Sequence, residues 1–420
     1  MMSFSEQIKG MKLQDAAGEQ DERLWMQVRA EFNLSPEWLH LGASQFLASH
    51  PRMVREALEH HRRLLDENPV MQVEANEDPA MDAVREAAMQ YLGSREAREI
   101  ALTDSTTMGL GLVYSGFPWQ PGDEIVLSDH EHYSHREAAR GVSTRHDIQV
   151  QTVKLYDGSA AQVRPDEMVE RIMAAVNLRT RVIGATWVHS DTGLKFPVRL
   201  LADAIAEHNR NLAPHRRVKL IVDGVHGLGI EPDTLSDLGA DFFVAGTHKW
   251  LYGPRGTGLV WASLDDWRDM RRVIPSFTEA MDAYSEDEPL PPMDGRQFTP
   301  GGFHSLEHRW ATVQAFEFHR QLGRKRVAAR IHALNRQCRE ALSNMPHVTL
   351  HTPREDALSS GITAFELHGI PSADAEERLR EQKIIATVAP YPSAYLRLTP
   401  GIINTPQEVE RALTAISQLS

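Results

Sequence analysis

The chain has 420 residues, 41% hydrophobic and 25% charged, with a formal net charge of −13 and one cysteine, Cys338. That is enough apolar material for two or three packed units. The negative balance excludes non-specific nucleic-acid binding, and the lone cysteine excludes an intrachain disulfide or a cysteine-rich metal site.

Residues 1–20 lack the apolar core of a secretion signal, and no stretch reaches the roughly 18 apolar residues of a membrane span. The expectation is a cytoplasmic protein with no membrane partner; an export signal removed upstream stays open. Residues 20–66 are charged and helical in period, interrupted at LHLGASQFLASHP. DPAMDAVREAAMQYLG then carries apolar positions at helical spacing and ends at Gly93. Five short β-rich runs follow: EIALTDST, DEIVLSD, RVIGATWV, VKLIVDG and DFFVAGT. Helical segments such as PDEMVERIMAAVN and RLLADAIAEHNR separate most of them. Apolar strands alternating with helices predict an α/β fold with a mainly parallel sheet covered on both faces. SEDEPLPPMDG, residues 285–295, reads as a surface connection, followed by a helical stretch over about 305–344 and then alternating short strands and helices. The predicted organisation is an N-terminal helical arm (1–66) packing with a smaller unit, a large α/β unit (67–284) and a smaller C-terminal α/β unit (285–420).

In open α/β sheets, ligands bind beyond the carboxyl ends of the strands, and the polar punctuation falls there. TDSTTMG, SDHEHYSH, VHSDTG, VDGVHG and GTHKW each follow an apolar run. Asp223 ends one such run; alone it reads equally as a turn or helix-cap residue. Lys249 follows another, and a lysine there is costly unless its charge is used, paired or removed. A desolvated lysine is a Schiff-base nucleophile, and a buried aspartate is the partner that makes the pyridine ring of pyridoxal 5′-phosphate (PLP) an electron sink.

DGVHG followed after 26 residues by GTHKWLYGPRGTGLVW resembles the class V aminotransferase pattern of Asp-Gly-x-Gln/His, His-Lys and Gly-Pro-x-Gly-x-Gly. The motif order agrees from about residue 40 to the C-terminus, and LRLTPGIINTPQEVERAL points to the isopenicillin N epimerase-like branch. This resemblance implies fold-type I, PLP as cofactor, a small-molecule amino-acid substrate, and a homodimer with shared active sites. It implies Lys249 as the Schiff-base lysine and Asp223 as the partner of the ring nitrogen, with His132 stacked on the ring. Thr106 and Thr107 fall at the phosphate turn, where a helix N-terminus favours a dianion. Ser190 stands where many relatives have Asn, near the phenolic oxygen with His226, and His248 is expected near the phosphate. Thr299, in GRQFTPGG, is implied as a phosphate contact given across the dimer interface, with an ordinary Pro-Gly turn as the alternative. Arg397 is implied as the clamp for the substrate α-carboxylate, with a structural salt bridge as the alternative. Ser44, in GASQF, is expected to shape the substrate pocket.

A metal site at His130, His132 and His135 is disfavoured by spacing and by the lack of a partner cluster in the sequence. The runs GVHGLG and GPRGTG do not fit a dinucleotide-binding turn. A persulfide mechanism is disfavoured because IIATVAPYPSAYLR, where cysteine desulfurases carry their cysteine, contains none. The expected activity is transamination or epimerisation at Cα. The alternatives are β- or γ-elimination, including C–S lysis, or a tailoring reaction of secondary metabolism, with a non-catalytic PLP-binding protein as the remaining class. Fold and cofactor do not choose among them.

Overall fold

The predicted strands assemble, in a computed structural model that describes residues 19–42 and 47–419, into one seven-stranded sheet. Its strands are β1 (Ile100–Thr103), β2 (Glu124–Ser128), β3 (Gln149–Val153), β4 (Thr180–Thr186), β5 (Lys219–Asp223), β6 (Phe242–Gly246) and β7 (Gly258–Ala262). Their order is β1-β7-β6-β5-β4-β2-β3. β7 is antiparallel to both neighbours and every other pair is parallel. All residues of β2, β4 and β6 are buried, as strands covered on both faces must be. β3 (QVQTV) is half polar and mostly exposed because it forms an edge, so it lacks the apolar run that marks the others.

The helices that frame the sheet are α1 (Glu19–Ala30), α2 (Arg52–Glu67), α3 (Pro69–Leu92), α4 (Thr106–Gly116), α5 (Tyr133–His146), α6 (Pro165–Ala175), α7 (Val198–Asn209), α8 (Leu306–Leu322) and α9 (Arg324–Ser343). Side chains alternate across the strands. Ile125, Leu127, Val182, Ile221 and Val244 pack with Leu110, Val113, Ala139 and Val142 of α4 and α5. Val126, Ile183, Leu220, Val222 and Phe243 pack with Met168, Ile172, Leu201 and Ile205 of α6 and α7. α8 packs on α2 and α3. The predicted helical stretch over 305–344 is two helices, broken at Gly323, whose φ of +84° a residue with a side chain rarely adopts.

A second core gathers Leu334, Cys338 and Leu342 of α9 with a four-stranded antiparallel sheet. That sheet contains β8 (Val348–Leu350), β9 (Thr363–Leu367), β10 (Thr387–Val388) and β11 (Leu396–Leu398), in the order β10-β11-β9-β8. Leu39 and Leu41 join this core, and Leu39–His40 pairs in parallel with Ile384–Ile385. Arg29 of α1 pairs with Glu408 at 2.6 Å. Met293, inside the segment read as a surface connection, and Phe298 just after it pack back into the core under α4, so the end of that segment is buried. No helix among the described residues is long and apolar enough to cross a membrane.

The two cores meet at a polar seam. Leu194 bridges Ser359, and the Thr352 hydroxyl donates to the Thr192 carbonyl at 2.6 Å. Gly193 has φ +73°, and a Cβ there would stand 2.1 Å from the Ile362 carbonyl oxygen, so only glycine fits. The fully buried Glu231 carboxylate accepts from Lys195 Nζ at 3.0 Å and from Ser360 Oγ at 2.5 Å, and lies 2.9 Å from His332 Nε2. Burial alone would raise its pKa; these partners outweigh burial and hold it below the usual carboxylate value.

Candidate active site

The carboxyl ends of β1, β2, β4, β5 and β6 converge on a cavity of about 120 Å³. Thr106, Thr107, His132, Ser190, Asp223, His226, His248 and Lys249 all line it. Eight of the eleven residues proposed from sequence therefore meet at one place.

Each is positioned by local chemistry. Ser105 caps α4, its hydroxyl accepting from Met108 N at 3.0 Å, which leaves the other first-turn N–H groups facing the cavity. Thr106 Oγ1 accepts from Gly246 N at 2.7 Å and ties this turn to the end of β6. A Cβ on Gly246 would press on His248 Nδ1 at 2.9 Å and Thr106 Oγ1 at 3.2 Å, so glycine keeps the cradle open. His132 caps α5 by accepting from Ser134 N at 3.2 Å through Nδ1, which leaves Nε2 to carry the proton of the neutral ring. Asp223 ends β5 and accepts from Val225 N at 3.1 Å; burial raises its pKa.

The state of the lysine follows from its neighbours. Trp250 Nε1–H can only donate, and it donates to His226 Nδ1 at 3.2 Å. Burial holds the His226 pKa well below its ordinary value, so the ring is neutral with its proton on Nε2. That nitrogen lies 2.9 Å from Lys249 Nζ. Its N–H donates to the lysine, which accepts only as a free amine. Burial lowers the Lys249 pKa to about 8 and Arg397 adds to the shift, against Asp223. Burial also lowers His248 to about 4.

Arg397 sits on β11 and is 2% exposed. It donates through Nη1 to the Ser190 carbonyl at 2.5 Å and through Nη2 to the Val388 carbonyl at 3.0 Å. Its Nε is buried without a partner among the described residues. Burial lowers its pKa to about 10. Among the described candidates, Arg397 and Thr299 are not in the cavity lining. Thr299 is buried near β1, where its hydroxyl accepts from Leu102 N at 3.0 Å and donates to the Gly295 carbonyl at 2.8 Å. Its one polar group is engaged inside its own chain. Ser44 lies outside the described residues.

Tyr391 was not among the sequence-based candidates. Its hydroxyl lies 2.7 Å from Ser190 Oγ, and its ring meets the His132 ring edge-on at 6.0 Å. It occupies the loop before Arg397 that the sequence reading inspects only for cysteine. Beneath the cavity, Glu131 accepts from Ser128 Oγ at 2.8 Å and Thr186 Oγ1 at 2.5 Å and lies 2.9 Å from His135 Nδ1. These partners overcome burial and hold Glu131 at about 2. His135 Nε2 is 2.8 Å from the Tyr114 hydroxyl. His130, His132 and His135 thus go to three different places. His130 joins His189 and Asp191 in a group whose ligand-type atoms lie within 4.8 Å of one another, and His130 Nδ1 already lies 2.9 Å from Asp191 Oδ2.

The cavity combines an anion cradle at a helix N-terminus, a free amine and a buried carboxylate, which suit the phosphate, aldehyde and ring nitrogen of PLP. The aminotransferase class-V family model matches residues 48–393. The chain belongs to this family. It is 28% identical over 414 residues to an isopenicillin N epimerase from Streptomyces clavuligerus, covering 94% of this chain and 98% of that protein. A cysteine desulfurase from Pectobacterium atrosepticum is 26% identical over 297 residues, 69% of this chain and 67% of that one. Among solved structures, a C-DES mutant with glycine covalently linked to PLP superposes with a TM-score of 0.80 at 19% identity, over 93% of this chain and 99% of that one. The fold is thus fold-type I, and this class V member is a PLP-dependent enzyme that acts on a small-molecule substrate.

Proposed function

We propose that this class V enzyme moves the Cα proton of an α-amino acid or an amino-acid-derived metabolite, with epimerisation as its reaction. The carrying observation is the combination of a Lys249 whose pKa burial lowers to about 8, held against His226, with a tyrosine hydroxyl, rather than a thiol, on the loop before Arg397. Cys338, the chain's one cysteine, is buried in α9 with its pKa pushed up to about 12, which is the wrong place and the wrong state for sulfur transfer. Similarity to an epimerase along 94% of the chain supports the same reading.

Bound PLP supplies an electron sink for the pair left at Cα when its proton departs. The rest is assigned to this chain's own residues. The first turn of α4, with Thr106, Thr107 and His248, holds the phosphate. Asp223 keeps the proton on the ring nitrogen, and His132 lies against the ring. Ser190 donates toward the phenolic oxygen, and His226 lies near that oxygen or the substrate. Lys249 is the attachment point and, once released, the base that reaches Cα. Arg397 has an unpartnered Nε–H and holds the substrate carboxylate.

The test is product analysis of the holoenzyme with a panel of L- and D-amino acids. Formation of the opposite enantiomer supports the reading. A keto acid formed only with an acceptor identifies an aminotransferase, and pyruvate with ammonia identifies a lyase; either sinks epimerisation. Arg397→Lys keeps the charge and loses the fork. It is expected to lower kcat/KM roughly 10- to 100-fold, on the order of 1–3 kcal/mol, mainly through KM. An unchanged KM refutes the clamp.

The chain is further read as a homodimer. Phe277, Met281, Tyr284 and Phe303 are exposed within one stretch, Phe303 at 88%, and such side chains are covered in an oligomer. Sedimentation is expected to give about twice the 47.3 kDa chain mass, and Phe303→Asp to shift the equilibrium toward monomer. A wild-type monomer at assay concentration overturns this.

A further inference from the structure

We infer that Tyr391 is a second proton-transfer residue, serving the face of Cα opposite Lys249; this rests on the epimerase reading. Inversion at carbon requires that a proton leave one face and another arrive at the other. A single base on a short tether returns the proton to the face it came from, so inversion calls for a second acid on the far side.

The geometry separates the two groups. Lys249 rises from the end of β6 and is held by His226. Tyr391 descends from the loop between β10 and β11 and packs edge-on against His132, the residue proposed to lie against the ring, so the two groups reach the site from different elements. Its hydroxyl is shared with Ser190 Oγ, a cavity-lining group that can relay a proton. Arg397, six residues on, donates to the carbonyl of the same Ser190. A substrate carboxylate held by Arg397 therefore lies beside the phenol, which brings Cα within reach of Tyr391.

The step balances without an oxidant or reductant. Lys249 Nζ takes the proton from Cα, and the electron pair returns to the same carbon as Tyr391 Oη–H delivers its proton to the other face. Lys249 is left as ammonium and Tyr391 as phenolate, and exchange with solvent resets both. The reverse direction exchanges their roles.

The test is Tyr391→Phe, which keeps the ring and removes the oxygen. The holoenzymes are run in deuterated water with each enantiomer in turn, and deuterium is located in recovered substrate and in product. The wild type is expected to place solvent deuterium in the product from the first turnover. The variant is expected to form the opposite enantiomer at least about 100-fold more slowly while still exchanging the α-proton of one enantiomer with retention. PLP affinity and the cofactor absorption spectrum should match wild type, and so should binding of propionate, a carboxylate without an amine. Two results overturn the inference: inversion at the wild-type rate, or loss of exchange from both enantiomers together with a changed cofactor spectrum, which marks a structural role. A wild type that never inverts sinks the epimerase reading and this inference with it; a wild type that inverts beside an equally active variant sinks this inference alone.

Discussion

Lys249→Ala is expected to lower turnover by ~10⁴-fold or more, about 5 kcal/mol, because one residue supplies both the attachment point and the base at Cα. Borohydride reduction of the wild type should fix the cofactor to Lys249 and to no other lysine, as read by peptide mapping. The pH dependence follows from the same environment. Burial disfavours the ammonium, so the pKa drops from the ordinary lysine value of 10.5 to about 8. Only the free amine attacks the aldehyde. The rate of PLP capture by apoenzyme should therefore climb as pH rises toward 8 and level off above it, whereas an ordinary lysine would keep gaining to beyond pH 10. A reduced cofactor on another lysine, or capture that rises steadily through pH 10, contradicts the assignment.

Asp223→Ala is expected to fold and to retain some PLP, since the phosphate cradle is intact, yet to lose about 10³-fold in turnover, ~4 kcal/mol. The carboxylate stands at the end of β5, 2% exposed, with one backbone N–H as its only hydrogen-bond donor among the described residues. Its pKa is raised because burial has no full counter-charge to offset it. A protonated ring nitrogen is that counter-charge, and a carboxylate there keeps the nitrogen protonated at neutral pH. Asp223→Glu should restore part of the rate if it reaches the same nitrogen. Near wild-type turnover in a well-folded Asp223→Ala protein would falsify the role.

Much of the sheet was legible because strands buried on both faces need continuous apolar runs, and β2, β4, β5 and β6 supply them. Asp223 and Lys249 stood out because each is a charge placed directly after such a run. The illegible parts have physical reasons. β3 is an edge strand and carries polar residues. The break between α8 and α9 turns on a single glycine in a long helical pattern. Thr299 sits in a motif that the family resemblance reads as a loop reaching the partner's phosphate; within its own chain its hydroxyl bonds the backbone of β1, a contact 197 residues away in sequence that no local pattern reveals. Tyr391 is invisible for a similar reason. A tyrosine between two prolines reads as a surface turn, and only the packing of the two cores brings its hydroxyl to Ser190, 201 residues upstream.

The Glu231 node at the seam has a consequence for selectivity. Lys249, proposed to carry the cofactor that receives the substrate amine, belongs to the large core; Arg397, proposed to hold the carboxylate end, rides on the small one. The two jaws of this caliper are spaced by what lies between the cores. The buried carboxylate joins Lys195 on one side to His332 and Ser360 on the other, and it sets that spacing more firmly than any apolar contact that can slide. The gauge of the enzyme can thus be reset at Lys195, His332 or Ser360, away from every atom that touches the amino acid, and variation in substrate size among relatives can arise there without any change in the pocket lining.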